Sequence, residues 1–219
     1  MATFIGINGL AGAGKSTAAD FLLDGRYEPL SDELTPAPFV RVKMSEVLKE
    51  MLGVLLRHAG VPEDKISIYL EGTQDEKLIP IPELDYKTDG RHLMKTIGSE
   101  WRDLIYSELW VSIAVNKIID HLDDGLNVVA DDIRFVHEID YARRRLQNYD
   151  VKFVKIEGRN HEKTVSDGEE VHQSERPIPD VHFDAVIKND RDLDHLYAEL
   201  HEKVVFDLEP DMISNCNAA

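Results

Sequence analysis

The run Ile5-Gly6-Ile7-Asn8-Gly9-Leu10-Ala11-Gly12-Ala13-Gly14-Lys15-Ser16-Thr17 constrains this chain more than any other. An apolar segment (Phe4, Ile5, Ile7) leads into Gly9-x-x-x-x-Gly14-Lys15-Ser16, and the helix-forming Ala18, Ala19, Phe21, Leu22 and Leu23 follow. Strand, glycine-rich turn and helix in that order are the context in which this spacing reads as a phosphate-binding P-loop. The glycines open backbone conformations that other residues avoid and let the chain approach a phosphate. The turn's N–H groups and the helix N-terminus then face the anion. Lys15 is placed to reach β- and γ-phosphates, and the Ser16 hydroxyl suits Mg2+. A chance glycine turn would not bring the strand, the Lys and the Ser with it.

A chain of 219 residues, 42% hydrophobic and 31% charged, is long enough for one sizeable α/β domain. No apolar run reaches transmembrane length, and the first strand begins so early that no signal peptide is expected. The single cysteine, Cys216, excludes an internal disulfide framework and fits a reducing cytosol. A formal net charge of −17 repels nucleic acid polymers. It predicts instead that Lys15, Arg91, Lys95 and Arg134 are concentrated around one phosphate-binding cleft.

Along the chain, periodicity and turn residues predict alternating strands and helices. A first helix ends near Asp24-Gly25, and residues 26–38 read as a loop. Phe39 to Val42 reads as a strand. Ser45 is placed to cap a helix over 46–58 that buries Val47, Leu48, Met51, Leu52 and Leu55. Residues 60–89, with Pro62, Pro80 and Pro82, read as an irregular, partly mobile inserted flap. From Gly90 onward, Leu93, Ile97, Trp101 and Leu104 fall on one helical stripe, and Arg91, Lys95, Gly98 and Arg102 on another. A basic row containing a glycine is what a helix facing a phosphate would show; a mid-helix glycine otherwise costs about 1 kcal/mol. A helix over 107–122 and an apolar strand over 126–130, ending in Asp131-Asp132, come next. The remaining elements are a helix over 135–147, a strand over 151–156, a mobile lid-like segment over 158–182, a strand over 183–187 and a helix over 193–205. The expected fold is therefore α/β, a P-loop NTPase of three layers α/β/α about a parallel sheet, carrying mobile acceptor-binding and lid segments. The kinase domain would span 1–205 and a C-terminal tail 206–219.

In P-loop proteins a carboxylate at the end of a nearby strand helps hold Mg2+. Asp131 and Asp132 are the carboxylates placed that way, with Arg134 two residues after Asp132 and Glu138 one helical turn further. Asp132, Arg134 and Glu138 fall together at the carboxyl end of the strand, where open α/β sheets bind ligands. Arg134 could clamp a phosphate with two parallel hydrogen bonds; the bland alternative is an Arg134–Glu138 ion pair on a helix surface. His161, His172 and His182 fit no compact zinc spacing.

The run Gly90-Arg91-His92-Leu93-Met94-Lys95-Thr96-Ile97-Gly98-Ser99-Glu100-Trp101, then Trp110-Val111, Asp132-Ile133-Arg134-Phe135 with Glu138, His172-Gln173-Ser174-Glu175 and Ile187-Lys188-Asn189-Asp190, resembles the phage-type deoxynucleoside monophosphate kinases. The family often has Gln at Thr96 or Lys95 and a Gly between Trp101 and Arg102, which this chain lacks. The resemblance implies an adenylate-kinase-like fold and transfer of the ATP γ-phosphate to a deoxynucleoside monophosphate (dNMP), with Mg2+. It implies that Ala11, Gly12, Ala13, Gly14, Lys15, Ser16 and Thr17 hold ATP, and that Arg91, Lys95, Gly98, Ser99, Trp110, Asp132, Arg134 and Glu138 line the monophosphate site. Lys15, Arg134 and Arg91 would be catalytic, and Ser16 and Asp132 would hold the metal. The partners would be small nucleotides, with no nucleic acid polymer and no membrane; a homodimer stays open. The compartment would be the cytoplasm, the host's if the chain is phage-encoded. A dephospho-coenzyme A kinase and an ATP-dependent switch without an acceptor are the competing functions.

Overall fold

The computed structural model of this protein describes residues 1–25, 38–158 and 176–205. The loop expected before the second strand, most of the 158–182 segment with His161 and His172, and the tail lie outside the described residues. In chain order the elements are β1 (Thr3–Asn8), α1 (Lys15–Leu23), β2 (Phe39–Arg41), α2 (Glu46–His58), α3 (Glu63–Glu71), α4 (Gly90–Thr96), α5 (Arg102–Leu104), α6 (Leu109–Asp123), β3 (Asn127–Ile133), α7 (Val136–Arg145), β4 (Asp150–Gly158), β5 (Ala185–Asn189) and α8 (Leu193–Leu200). They form two compact units, Met1–Lys43 with Val115–Ala219, and Met44–Ala114.

The first unit is built on a five-stranded parallel sheet in the order β2-β3-β1-β4-β5. β1 is buried along its whole length between β3 and β4, which is why its sequence is apolar without alternation. Successive residues still point to opposite faces. Ile5, Ile7, Val129, Val154 and Ile156 join Ala18, Phe21 and Leu22 of α1 and Leu196 and Leu200 of α8 in one core. On the other face, Phe4 and Phe153 meet edge to face at 5.8 Å, and Arg143 of α7 lies over the Phe153 ring at 5.1 Å. The unit is thus the expected three-layer α/β/α fold around a parallel sheet, with the P-loop at the carboxyl edge of its central strand.

The second unit is helical. Leu48, Leu52 and Leu56 of α2 pack with Val61, Ile66, Tyr69, Leu70 and Ile81. The buried row of α2 thus runs i, i+4, i+8 from Leu48; Met51 and Leu55, expected inside, are 37% and 46% exposed, and Val47 is only half-buried. Ser45 makes no side-chain cap. Residues 60–89 are not irregular: they contain α3 and two short 3-10 turns and contribute core residues. Their prolines stand at boundaries, Pro62 before α3 and Pro82 opening a 3-10 turn, where a missing N–H does no harm. After α4 the chain makes one π turn (Ile97–Trp101) before α5. A π turn adds a residue to the helical repeat. The stripes counted from Gly90 therefore lose phase at Gly98: Leu104 is 82% exposed, and Arg102 donates to its neighbour Asp103.

Candidate active site

Two turns at the carboxyl edge of the sheet carry the candidate chemistry of the first unit. The turn after β1 is the P-loop. Gly14 sits at φ 100°, and a Cβ there would run into the Asn189 side chain, so the turn accepts nothing larger. Asn189, at the end of β5, donates its amide to the Ala13 carbonyl at 2.9 Å and ties the loop to the far side of the sheet. Asn8 donates to the Ile133 carbonyl at 2.8 Å and joins the ends of β1 and β3. Lys15 curls over the loop, its Nζ donating to the carbonyls of Gly9 and Leu10 at 2.8 Å each. Burial pushes the Lys15 ammonium below its usual pKa, the charge of Arg134 adds to that push, and Asp131 and Asp132 oppose it. Lys15, Arg134 and the two aspartates therefore share one electrostatic neighbourhood. Ser16 is exposed at the start of α1.

The second turn follows β3. The strand runs on through Ile133, so Asp131 and Asp132 lie within it and face opposite sides. Asp131 is the buried one: its side chain is 2% exposed, and among the described residues neither carboxylate oxygen has a hydrogen bond. Arg41 Nε and Lys43 Nζ each stand 3.9 Å from it. Of the two aspartates that the sequence places at the end of this strand, alternation turns Asp131 inward and leaves Asp132 half-buried.

Glu138 does not form the surface ion pair that was the bland alternative for Arg134. It is buried, and its Oε2 accepts from the backbone N–H of Arg134 at 2.7 Å and of Phe135 at 3.0 Å, capping α7. Burial pushes its carboxyl up to about 7, against the pull of those two N–H groups. The guanidinium of Arg134 is left exposed at the sheet edge.

Arg91, Lys95, Gly98, Ser99 and Trp110 belong to the second unit. Asp89 caps α4 by accepting from the His92 N–H at 2.8 Å. Arg91 donates to Gln74, and Lys95 is exposed. A Cβ on Gly98 would lie 3.2 Å from Leu48 Cδ1, so this glycine answers to the packing of α4 on α2. Trp110 stacks on Trp101, rings 6.0 Å apart, and its buried indole N–H has no hydrogen-bond partner among the described residues.

Mg2+ uses few protein ligands and keeps waters and phosphate oxygens, so a protein cage is not required, and among the described residues none of three or more His, Cys, Asp or Glu exists. The Asp131 carboxylate, without a hydrogen bond among the described residues, would supply negative charge toward such a hydrated ion on its face of the sheet. No helix among the described residues is long and apolar enough to cross a membrane.

The family model of deoxynucleotide monophosphate kinase matches residues 63–200. That match begins after the P-loop, so motif and family are separate observations. No curated protein matches the chain in sequence. Among solved structures, a cysteine-to-alanine mutant of the APS kinase CysC from Mycobacterium tuberculosis is 16% identical, covering 93% of this chain and 97% of that chain with a TM-score of 0.39; at that score the likeness carries no argument.

Proposed function

The chain belongs to the deoxynucleotide monophosphate kinase family, and from that premise we propose that it transfers the γ-phosphoryl group of ATP to a dNMP. The bond from the β–γ bridging oxygen to the γ-phosphorus breaks, a bond from an acceptor phosphate oxygen to that phosphorus forms, and ADP and a dNDP leave. The observation that carries this reading is the shared neighbourhood of P-loop Lys15 and exposed Arg134, flanked by two aspartates. Phosphoryl transfer asks for positioning and charge neutralisation more than for covalent help. The N–H groups of residues 11–17 and Lys15 hold the ATP phosphates. Ser16 and Asp132 would hold Mg2+, whose charge offsets that of the phosphate oxygens. Arg134 and Arg91 grip the acceptor phosphate, which is already an oxyanion and needs no general base. Lys95, Gly98, Ser99, Trp110, Asp132 and Glu138 complete the monophosphate site in this reading. Small nucleotides in the cytoplasm are then its partners. A thermal-shift screen with the four dNMPs and dephospho-coenzyme A, each with and without ATP, tests it. At least one dNMP should raise Tm, and more so with ATP present; a shift with dephospho-coenzyme A alone, or with ATP alone, would replace it.

A further inference from the structure

A buried carboxylate without hydrogen bonds costs several kcal/mol unless something compensates its charge. Asp131 is in that state, and the compensation comes from Arg41 and Lys43 at 3.9 Å, one at each oxygen, and from the charge of Lys15. The sequence fixes why they meet. Arg41 pairs with Val129 across β2 and β3, and the Val42 N–H donates to the Val129 carbonyl at 3.0 Å. Two residues past the Arg41–Val129 pair, just beyond the end of β2, Lys43 comes within 3.9 Å of Asp131, which shares the face that Val129 turns to α1. Arg41 is already committed: its Nη2 donates to Asp20 at 2.7 Å and to the Ser16 carbonyl at 3.4 Å, bracing the first turns of α1 against the sheet. Among the described residues Lys43 has no such second contact. Its ammonium, on a side chain 39% exposed, is held near Asp131 at a distance too long for a hydrogen bond.

We propose that Lys43 is a further catalytic residue that contacts the terminal phosphate of the donor nucleotide, with Asp131 as the counter-charge that keeps it there. Arg41, 3.9 Å from one oxygen of Asp131, reaches the Ser16 carbonyl of the P-loop helix at 3.4 Å, and Lys43 stands at the other oxygen, so the carboxylate and its two cations lie against the first turn of α1, where the P-loop places the β- and γ-phosphates. A second ammonium at the γ-phosphate balances charge that Lys15 alone leaves. This inference rests on the kinase reading for the identity of the donor, and it is independent of the acceptor.

The test is a calorimetric titration of a non-hydrolysable ATP analogue and of ADP, both with Mg2+, into wild type, Lys43→Met and Lys43→Arg. Lys43→Met should weaken the analogue about tenfold or more, as loss of a charge-assisted contact does, and leave ADP within twofold; Lys43→Arg should recover most of the loss. Equal affinities for the analogue in wild type and Lys43→Met would overturn the proposal, as would an equal loss for ADP. If Lys43→Met does not fold, Lys43→Gln replaces it with the same two criteria. A wild type that prefers the analogue over ADP through Lys43, yet makes no dNDP, would keep the inference and remove the dNMP reading. A wild type that makes dNDP while Lys43→Met binds both nucleotides normally would do the reverse.

Discussion

The turns after β1 and β3 stand at the same edge of the same sheet and treat their backbone N–H groups in opposite ways. The P-loop is shaped by glycine and braced through its carbonyls, by Lys15 on Gly9 and Leu10 and by Asn189 on Ala13. Its N–H groups at the start of α1 remain a receptor for an anion. The turn after β3 fills the same need from within: the Glu138 carboxylate takes the N–H groups of Arg134 and Phe135. Those two N–H groups are taken by the protein itself, and what the turn presents at the edge is a side chain, the exposed Arg134. In the proposed reaction the first turn would cradle the donor through its backbone and the second would grip the acceptor through a side chain.

The largest expected effect comes from breaking the first turn's ligand set. Lys15→Ala should lower kcat by orders of magnitude while the protein stays folded, because the hydrogen bonds it gives up are to two loop carbonyls and burying its ammonium costs desolvation. Wild-type turnover in folded Lys15→Ala would remove the ATP site from this turn.

Next is the grip of the second turn. Arg134→Lys keeps the charge and loses the planar two-pronged contact. A loss on the order of 2–3 kcal/mol in kcat/KM for the dNMP is expected, with the ATP KM little changed. Steady-state kinetics with each substrate varied in turn decides; changes under about twofold in both would show that Arg134 is not a phosphate clamp.

The smallest effect sharpens the comparison by titrating the internal anion. Glu138 has a folded pKa of about 7, above the ordinary 4.5. The folded state therefore keeps a proton that the unfolded chain gives up, and stability falls as pH rises from about 4.5 to about 7, then levels. Glu138→Gln can still accept both N–H groups but cannot ionise. Its stability relative to wild type should rise across that window, by at most about 2–3 kcal/mol. Denaturant midpoints at pH 5 and pH 8 measure this; a constant difference between the two proteins would mean that Glu138 titrates normally.

How much of this could be read in the sequence follows from what each element demands of its residues. The P-loop forces residue types: φ 100° and an occupied space at Gly14 leave only glycine, so the motif and its strand and helix were legible. The parallel sheet was legible too, since doubly buried strands are apolar throughout. Helix phase was not. Nothing in Ile97–Trp101 announces a π turn, and one added residue moved Arg102 and Leu104 off the rows assigned to them. The proline-rich stretch 60–89 was misread because prolines at helix boundaries look the same in sequence as prolines in loops. The role of Glu138 was hidden by its partners being backbone, which no side-chain pairing rule reports, and the different burial of Asp131 and Asp132 follows only from a strand that continues past both.

The most direct measurement is the product balance. The protein should be incubated with ATP, Mg2+ and each dNMP in turn, and nucleotides separated by chromatography. The account requires that for at least one dNMP the dNDP and ADP appear in equal amounts, with little ADP when the acceptor is left out. ADP formed without dNDP, at the same rate whether or not any dNMP is present, would contradict it.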